Sequence, residues 1–522
     1  MKTCINIIII SSLFFLVSCD SWLDLKPETQ VTEDELFNSG DGYRASLNGL
    51  YKTMGTASLY GRELSFGMVD CISQQYQMDL GTTITYDQKY VDIAGFNYMT
   101  TDAIALIEST WRQAFNVVAN ANNLIQNVAN ESPDLFAQGE MEKNLILGEA
   151  YACRALMHFD MLRLFAPSPV NDDGKIYVPY VETYPDITAI PIAVKPFLDK
   201  VITDLEYART LVAEWDTCNV GVGTLITGKA RFYNTFSFGT EIYDNSNLRI
   251  ENFFKGRGYR LNYYAITALL ARVCQYAELE QKAFEYAREV MAFEVKDYYG
   301  WQKAFAIDDY SGVTSTNWNS KSDLRVVSNL IFAVYNEKAY DELSLSKFFT
   351  PQSNGYPTWL VINRTNQKTF ETREGTDESV LDYRSLNMIF YGNGQYPLSG
   401  KWYYSENESV RDNNVTILPV IRATEMRYIM AEYYARQGNF AEAKSILTEI
   451  RSRRGCSEAI SISNWAEFEE ELIRDARREW IAEGQLFYLY KRLNAAVNFG
   501  RNVIRPLNRS EYLLPIPTNE SL

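Results

Sequence analysis

Histidine is almost missing. The one histidine, His158, lies in an apolar helical pattern and reads as a packed structural residue. A Ser-His-Asp relay or a His-based zinc site needs that ring beside a nucleophile or further ligands, so neither is expected. The seven cysteines include no CxxC pair or other metal spacing, and no EF-hand spacing accompanies the Asp-rich loops. P-loop, dinucleotide, HExxH and nucleophile-elbow patterns are absent too. We therefore expect no cofactor and no enzyme and assign no metal ligands, a calcium site on the Asp-rich loops being the one alternative left open. Glu479 and Glu483, four apart beside Arg477 and Arg478, read as structural ion pairs rather than as the paired carboxylates of a glycosidase. Positive charge is short as well: 50 Lys and Arg stand against 66 Asp and Glu, a net −16. Such a surface repels phosphate backbones, which argues against nucleic acid as a partner. After Val17 no apolar run is long enough to span a bilayer.

What is present begins at the N-terminus. Lys2 precedes a short, mostly apolar run, Ile7 to Val17, which fits the h-region of a signal peptide. Leu16-Val17-Ser18-Cys19 resembles the lipobox of bacterial lipoproteins. The resemblance implies cleavage after residue 18 and a lipidated Cys19, and residues 19–30 then form an acidic tether. A plain secretory signal with an incidental cysteine is the bland alternative. Of the other cysteines, Cys153 and Cys274 sit in apolar helical patterns and read as small buried hydrophobes.

Helical spacing dominates the chain beyond residue 30. Thr32 and Glu35 have the spacing of a capping box, and Tyr43, Leu47, Leu50, Tyr51 and Met54 share one face. A helix is expected over 62–75 and a loop over 76–103. Long helices are expected over 102–129, 140–166 and 193–215, with an extended, Pro-containing stretch at 171–192 and an irregular one at 216–258. Segments 259–293 and 422–454 read as helical hairpins related at a constant offset of 160 (Ala271 to Ala431, Ala283 to Ala443). The second resembles a tetratricopeptide unit through Ala431, Tyr434, Gly438, Phe440 and Ala443. The first has Glu278 where the turn glycine would stand. Between the hairpins, 294–420 is a long insertion with the composition of ordered polar loops anchored by aromatics.

Taken in order along the chain, these motifs resemble the SusD/RagB family of outer-membrane nutrient-binding lipoproteins. The likeness is carried by Cys19-Asp20-Ser21-Trp22-Leu23-Asp24, by Gly148 to Leu156 and Phe159 to Phe165, by Arg422, Glu425, Ala431 and Glu432, by Arg478-Glu479 with Glu483-Gly484, and by Leu514-Pro515-Ile516-Pro517. Two departures are visible. Leu486 and Leu489 stand where the family usually has an Arg and an Asp, an ion pair exchanged for an apolar contact. The chain also stops at Leu522, soon after the Pro-Ile-Pro segment.

The resemblance implies an all-α-dominated, TPR-like scaffold with long irregular loops and minor β. It divides the chain into 31–293 and 294–522. It also implies non-catalytic capture of an oligosaccharide or similar nutrient at the cell surface, and delivery to a SusC-like TonB-dependent transporter. The runner-up reading is a structural lid or a protein-interaction subunit.

Sugar binding wants flat rings against the CH face and polar groups at the hydroxyl rim. Loop aromatics are the natural candidates. One cluster is Tyr76, Asp79, Tyr86 and Tyr90. The other is Tyr298, Tyr299, Trp301, Asn317 and Trp318, and Trp402-Tyr403-Tyr404 is a third choice.

Overall fold

The computed structural model describes residues 32–517, apart from 81–83, 187, 219–252, 254–255, 298–299, 308–316, 322, 354, 356, 365–368, 371, 374, 408–415 and 501–502. The proposed signal peptide, Cys19 and the tether thus lie outside the described residues, as do Tyr298 and Tyr299 and most of the 216–258 stretch.

Helices make the scaffold. Thr32 caps α1 (Glu33–Leu36) through the expected box: its hydroxyl accepts from Glu35 N, and the Glu35 carboxylate accepts from Thr32 N at 2.9 Å. In α2 (Gly40–Met54) the five predicted face residues are all buried. The helix expected over 62–75 is a chain of turns followed by the short α3 (Met68–Ile72). Glu63 holds Met68 N at 3.1 Å, and turn carbonyls bind most of the neighbouring amides, so the backbone is satisfied without a helix. The loop expected over 76–103 contains α4 (Gln88–Ala94) and the start of α5 (Thr101–Asn130).

α5, α6 (Gly139–Phe165) and α7 (Val194–Asp216) pack side by side. From Leu145 onward α6 is buried on nearly every side rather than along one stripe. Arg154 on α6 reaches outward from that helix, binding Asp204 of α7 with two nitrogens (2.7 and 2.8 Å) and Asn122 of α5 at 2.8 Å. His158 accepts from Val181 N at 3.0 Å and stacks on Tyr180, a structural role. Cys71, Cys153, Cys274 and Cys456 are buried free thiols.

The two hairpins form as expected: α8 (Tyr263–Tyr276) with α9 (Glu280–Ala292), and α10 (Ala423–Arg436) with α11 (Phe440–Arg453). α9 packs on α10, so the pairs stack into one array, extended by α12 (Trp465–Glu479) and α13 (Leu486–Leu493). Leu486 and Leu489 are buried there, as an apolar exchange requires.

Strands are few and paired in twos. β1 (Ile176–Pro179) meets β2 (Pro191–Ala193), and β3 (Glu294–Asp297) meets β4 (Gly300–Lys303). β5 (Leu330–Tyr335) meets β8 (Ile417–Arg422), and β6 (Ile389–Gly392) meets β7 (Tyr396–Ser399). The β5–β8 ladder pairs a strand inside the insertion with the strand that ends it, just before α10. One apolar core runs from Phe37 to Leu514 and crosses the boundary at 293/294.

Glu479 and Glu483 do form structural ion pairs, but not with Arg477 and Arg478. Glu479 binds Arg454 (2.7 and 3.0 Å), Arg384 and Thr424, while Glu483 binds Arg422 (2.6 and 2.7 Å) and Lys401. Arg478 turns to Glu378 and Asp382, and Arg477 to the Tyr490 hydroxyl. These carboxylates cross between elements because Glu479 at the end of α12 and Glu483 in the turn after it are both buried, and a buried charge needs partners from whatever packs upon it.

Candidate ligand-binding surface

Three extended segments lie side by side at one edge of the insertion. Gln77 N donates to Val361 O and Thr85 N to Pro357 O, both at 2.9 Å, and Tyr76 pairs with Ile362. Ile362 N in turn donates to Pro397 O of β7 at 2.9 Å. The 76–86 strip is thereby fastened to the β6–β7 hairpin through 357–362. The hairpin closes on Asn393-Gly394, both with positive φ (+47° and +73°), a tight turn that only such residues adopt readily.

This arrangement sorts the first predicted cluster. Tyr76 and Tyr90 lie in the core, at 2% and 1% exposure. The Tyr90 hydroxyl donates to Glu63 and its ring meets Phe348, while the Tyr76 hydroxyl faces Asp70. Their ring faces are covered by protein, because the supposed loop is a buried turn and helix. Asp79 is exposed and Tyr86 half-buried. The Tyr86 hydroxyl accepts from Leu80 N at 2.8 Å and so braces its own loop. Burial raises its pKa, and nearby Asp79 and Tyr396 raise it further.

The hairpin adds residues that the sequence reading missed. The Tyr391 ring is 45% exposed, and its hydroxyl accepts from Arg364 Nη1 at 2.6 Å. Tyr396 is half-buried against Trp359, which is fully buried. Asn393, Gly394 and Gln395 form the exposed tip. The Asn-Gly dipeptide between Tyr391 and Tyr396 was the available sequence signal for a hairpin with displayed aromatics.

The second cluster is only partly described. The Trp301 backbone lies in β4. Asn317 is exposed and caps a single helical turn, accepting from Asn319 N at 3.0 Å. Trp318 is half-buried: it stacks on Tyr403 (centroids 5.3 Å), meets Phe390 at 5.4 Å and carries the Lys321 ammonium 4.6 Å above it. Burial lowers the Lys321 pKa to about 8. A methyl on Gly400 would stand 2.4 Å from the Trp318 ring, so only glycine lets the indole settle there. Trp402 is buried, donating to Ala482 O at 2.9 Å. Phe390 touches Trp318 and precedes Tyr391 on β6, so one hairpin carries contacts to both predicted clusters.

The arrangement offers aromatic faces, an Arg fork, an exposed carboxylate and side-chain amides. These are binding groups. Among the described residues, no cluster of three or more His, Cys, Asp or Glu is placed to hold a metal. Nor is any helix among them long and apolar enough to cross a membrane.

Residues 21–230 match a family model described as "Starch-binding associating with outer membrane". A SusD-like protein of Formosa agariphila is 27% identical over 205 residues, 39% of this chain and 36% of that relative, so the match spans about a third of the relative's length. A second SusD-like protein of that organism is 22% identical over 540 residues, covering 97% of this chain and 93% of the relative. Among solved structures, a SusD-like carbohydrate binding protein from Bacteroides vulgatus superposes with a TM-score of 0.64 at 15% identity, covering 92% of this chain and 96% of that one. A laminarin binding SusD-like protein gives 0.61 at 16% identity, covering 92% and 97%. At these identities the structural likeness is one of fold.

Proposed function

From the premise that the chain belongs to the SusD/RagB family, we propose that it is a non-catalytic, cell-surface binder of oligosaccharide. It holds its ligand on the surface made by Asp79, Tyr86, Arg364, Tyr391 and Tyr396, with Asn317 and Trp318 at its far side. The observation that carries this reading is the Tyr391 ring, displayed to solvent at a hairpin tip while Arg364 holds its hydroxyl. A ring presented rigidly loses little entropy when a sugar face covers it, and the guanidinium beside it can donate to the hydroxyl rim. Tyr298, Tyr299 and Trp301 remain proposed contributors from the second cluster.

Lipidation at Cys19 anchors the protein to the outer membrane, where it passes ligand to a SusC-like TonB-dependent transporter. The family description supports the association with the outer membrane; the lipid anchor and the transporter rest on the resemblance of the N-terminal motif and of the chain as a whole. Calorimetry of the mature protein against a panel of oligosaccharides, β-glucans and α-glucans included, tests the binding. Saturable affinity for at least one glycan, lost on Tyr391→Ala, supports it. No affinity for any glycan, together with stable co-purification with a barrel protein, favours a structural lid instead.

A further inference from the structure

The second half of α5 carries no charged side chain from Gln113 to Asn130, in a chain that is 22% charged. Asn116, Asn120, Asn123, Asn127 and Asn130 recur there at intervals of 4, 3, 4 and 3, and so share one face. That face looks outward: Asn116, Asn120 and Asn130 are exposed, and Asn123 and Asn127 are half-buried. Asparagine is among the poorer helix formers, because its amide competes for backbone groups. Here the amides turn back along the helix. Asn120 donates to Asn116 O at 2.8 Å, Asn127 to Asn123 O at 2.9 Å and Asn130 to Gln126 O at 2.8 Å. Those bonds hold the side chains in place and use only part of each amide, which has two N–H groups and two lone pairs.

The face runs into an open recess of about 440 Å³ between α5 and the α1–α2 segment. That volume is in the range of small-ligand sites, about 300–1,000 Å³. Asn38, Gln126, Asn127 and Asn130 supply it with amides. Glu33, Asp34 and Glu131 supply carboxylates, and among the described residues no Lys or Arg lines it. Gln126 also clamps the neighbouring chain. Its amide oxygen accepts from Tyr184 N at 2.6 Å, and its nitrogen donates to Tyr184 O at 2.9 Å. Asn122 donates to Val181 O and Thr183 O, at 3.0 and 3.3 Å. Tyr184 is thereby held beside Gln126, at the edge of the recess, and is 39% exposed.

The chemistry of these groups selects the ligand. With no cationic lining, the recess has nothing to hold a phosphate, sulfate or carboxylate. Its carboxylates are not placed together as metal ligands. Glu131 already accepts from Ser132 N at 2.9 Å and from the Tyr43 hydroxyl. A polycation would gain no ion pair along the uncharged amide face. An uncharged ligand rich in hydroxyls suits every group present: amides donate and accept, carboxylates accept, and an exposed ring covers a CH face. The stretch from Asn116 to Asn130 is about 21 Å long, the span of several sugar rings.

We propose that this amide face, with Tyr184 and the recess, is a second carbohydrate site, for a neutral oligosaccharide. It stands apart from the Tyr391 surface. That surface is fastened to the 76–86 strip beside α4, whose Asp92 accepts from the Thr100 cap of α5. The recess adjoins the opposite end of α5, a helix about 45 Å long. Maltohexaose, laminarihexaose and cellohexaose are titrated by calorimetry into the mature protein, a Tyr391→Ala variant and an Asn123→Ala, Asn127→Ala, Asn130→Ala triple variant. Crystals of the unaltered protein are soaked in each sugar. Sugar density against Tyr184 and Asn127 is expected with at least one of the three. The triple variant should lose at least tenfold in affinity at one class of site while keeping the class that Tyr391→Ala removes. Its Tm should hold or rise, since alanine is the better helix former, which separates lost contact from lost fold. A single class of site that Tyr391→Ala removes and the triple variant leaves unchanged, with no density at Tyr184, overturns this proposal and upholds the first surface. Absence of binding by any of the three sugars overturns it too.

Discussion

Glu278 and Gly438 occupy the same turn in two stacked helical hairpins, and both have left-handed backbone, φ +60° and +75°. The hydrogen bonds repeat as well. Glu278 N donates to Gln275 O and Leu279 N to Cys274 O, just as Gly438 N donates to Ala435 O and Asn439 N to Tyr434 O. Glutamate therefore holds a conformation that costs an L-residue about 1–2 kcal/mol and glycine almost nothing. Glu278→Gly should stabilise the protein by about 0.5–1 kcal/mol, after the entropy that glycine adds to the unfolded chain. Gly438→Ala should destabilise it by about 1 kcal/mol through backbone alone, since nothing lies within 4 Å of the added methyl. Urea unfolding of the two variants measures both; equal midpoints for Glu278→Gly and wild type would refute the strain.

The Glu479 carboxylate links α12 to the insertion and to the second hairpin. Burial raises its pKa, but the Arg454, Arg384 and Arg422 guanidiniums outweigh that and hold it well below the usual carboxylate range. Glu378, Asp382, Glu432 and Glu483 are depressed in the same way by their arginines. A depressed carboxylate contributes its full stability above its unfolded pKa, about 4.3 for Glu, and loses it as pH falls toward the folded value. Tm should therefore hold above about pH 5 and fall steeply below about pH 4. Glu479→Ala, which strands buried guanidiniums, should cost about 3–5 kcal/mol at pH 7. A Tm that stays flat down to pH 3 would contradict this.

Tyr391 and Trp318 should separate when mutated. Tyr391 is displayed, so Tyr391→Ala should weaken glycan binding about tenfold, roughly 1.4 kcal/mol, and leave Tm nearly unchanged. Trp318 is wedged among Tyr403, Phe390 and Gly400, so Trp318→Ala should cost about 2–3 kcal/mol of stability by leaving a cavity. Calorimetry and thermal melts run side by side would expose a wrong assignment, which would show as the two effects exchanged.

Cys19→Ala should move the protein from the membrane fraction to the soluble one, and the purified protein should bind glycan as before. Several acyl chains together anchor stably where a single one does not. An unchanged membrane fraction would remove the anchor from the account.

Much of this architecture is written locally. The Thr32–Glu35 box, the buried face of α2 and the paired hairpins come from spacing, because each depends on residues a turn or two apart. Other features depend on distant partners and stay silent in sequence. Leu330 to Val334 form a continuous apolar run whose strand identity comes only from pairing with Ile417–Arg422. Glu479 and Glu483 have arginines beside them in sequence, yet the fold gives them others. Tyr76 and Tyr90 read as loop aromatics because Gly, Thr and Asp surround them, while the buried turn that covers them is built by residues 54–72 and 348–362. Tyr391, by contrast, was legible through Asn393-Gly394.

The β5–β8 ladder bears on how such a binder changes its taste. Within the insertion, Tyr335 and Ile417 face each other across the ladder. The segment between them has its ends already held together. Doubling the length of such a loop costs only about 0.6 kcal/mol of closure entropy. The exposed tip Asn393–Gln395 beside Tyr391 can thus be lengthened or rewritten with little effect on the array, whereas Glu378, Asp382, Arg384 and Lys401, paired with Arg478, Glu479 and Glu483, are tied to it. Mutational drift at that tip is then nearly uncoupled from the stability of the scaffold.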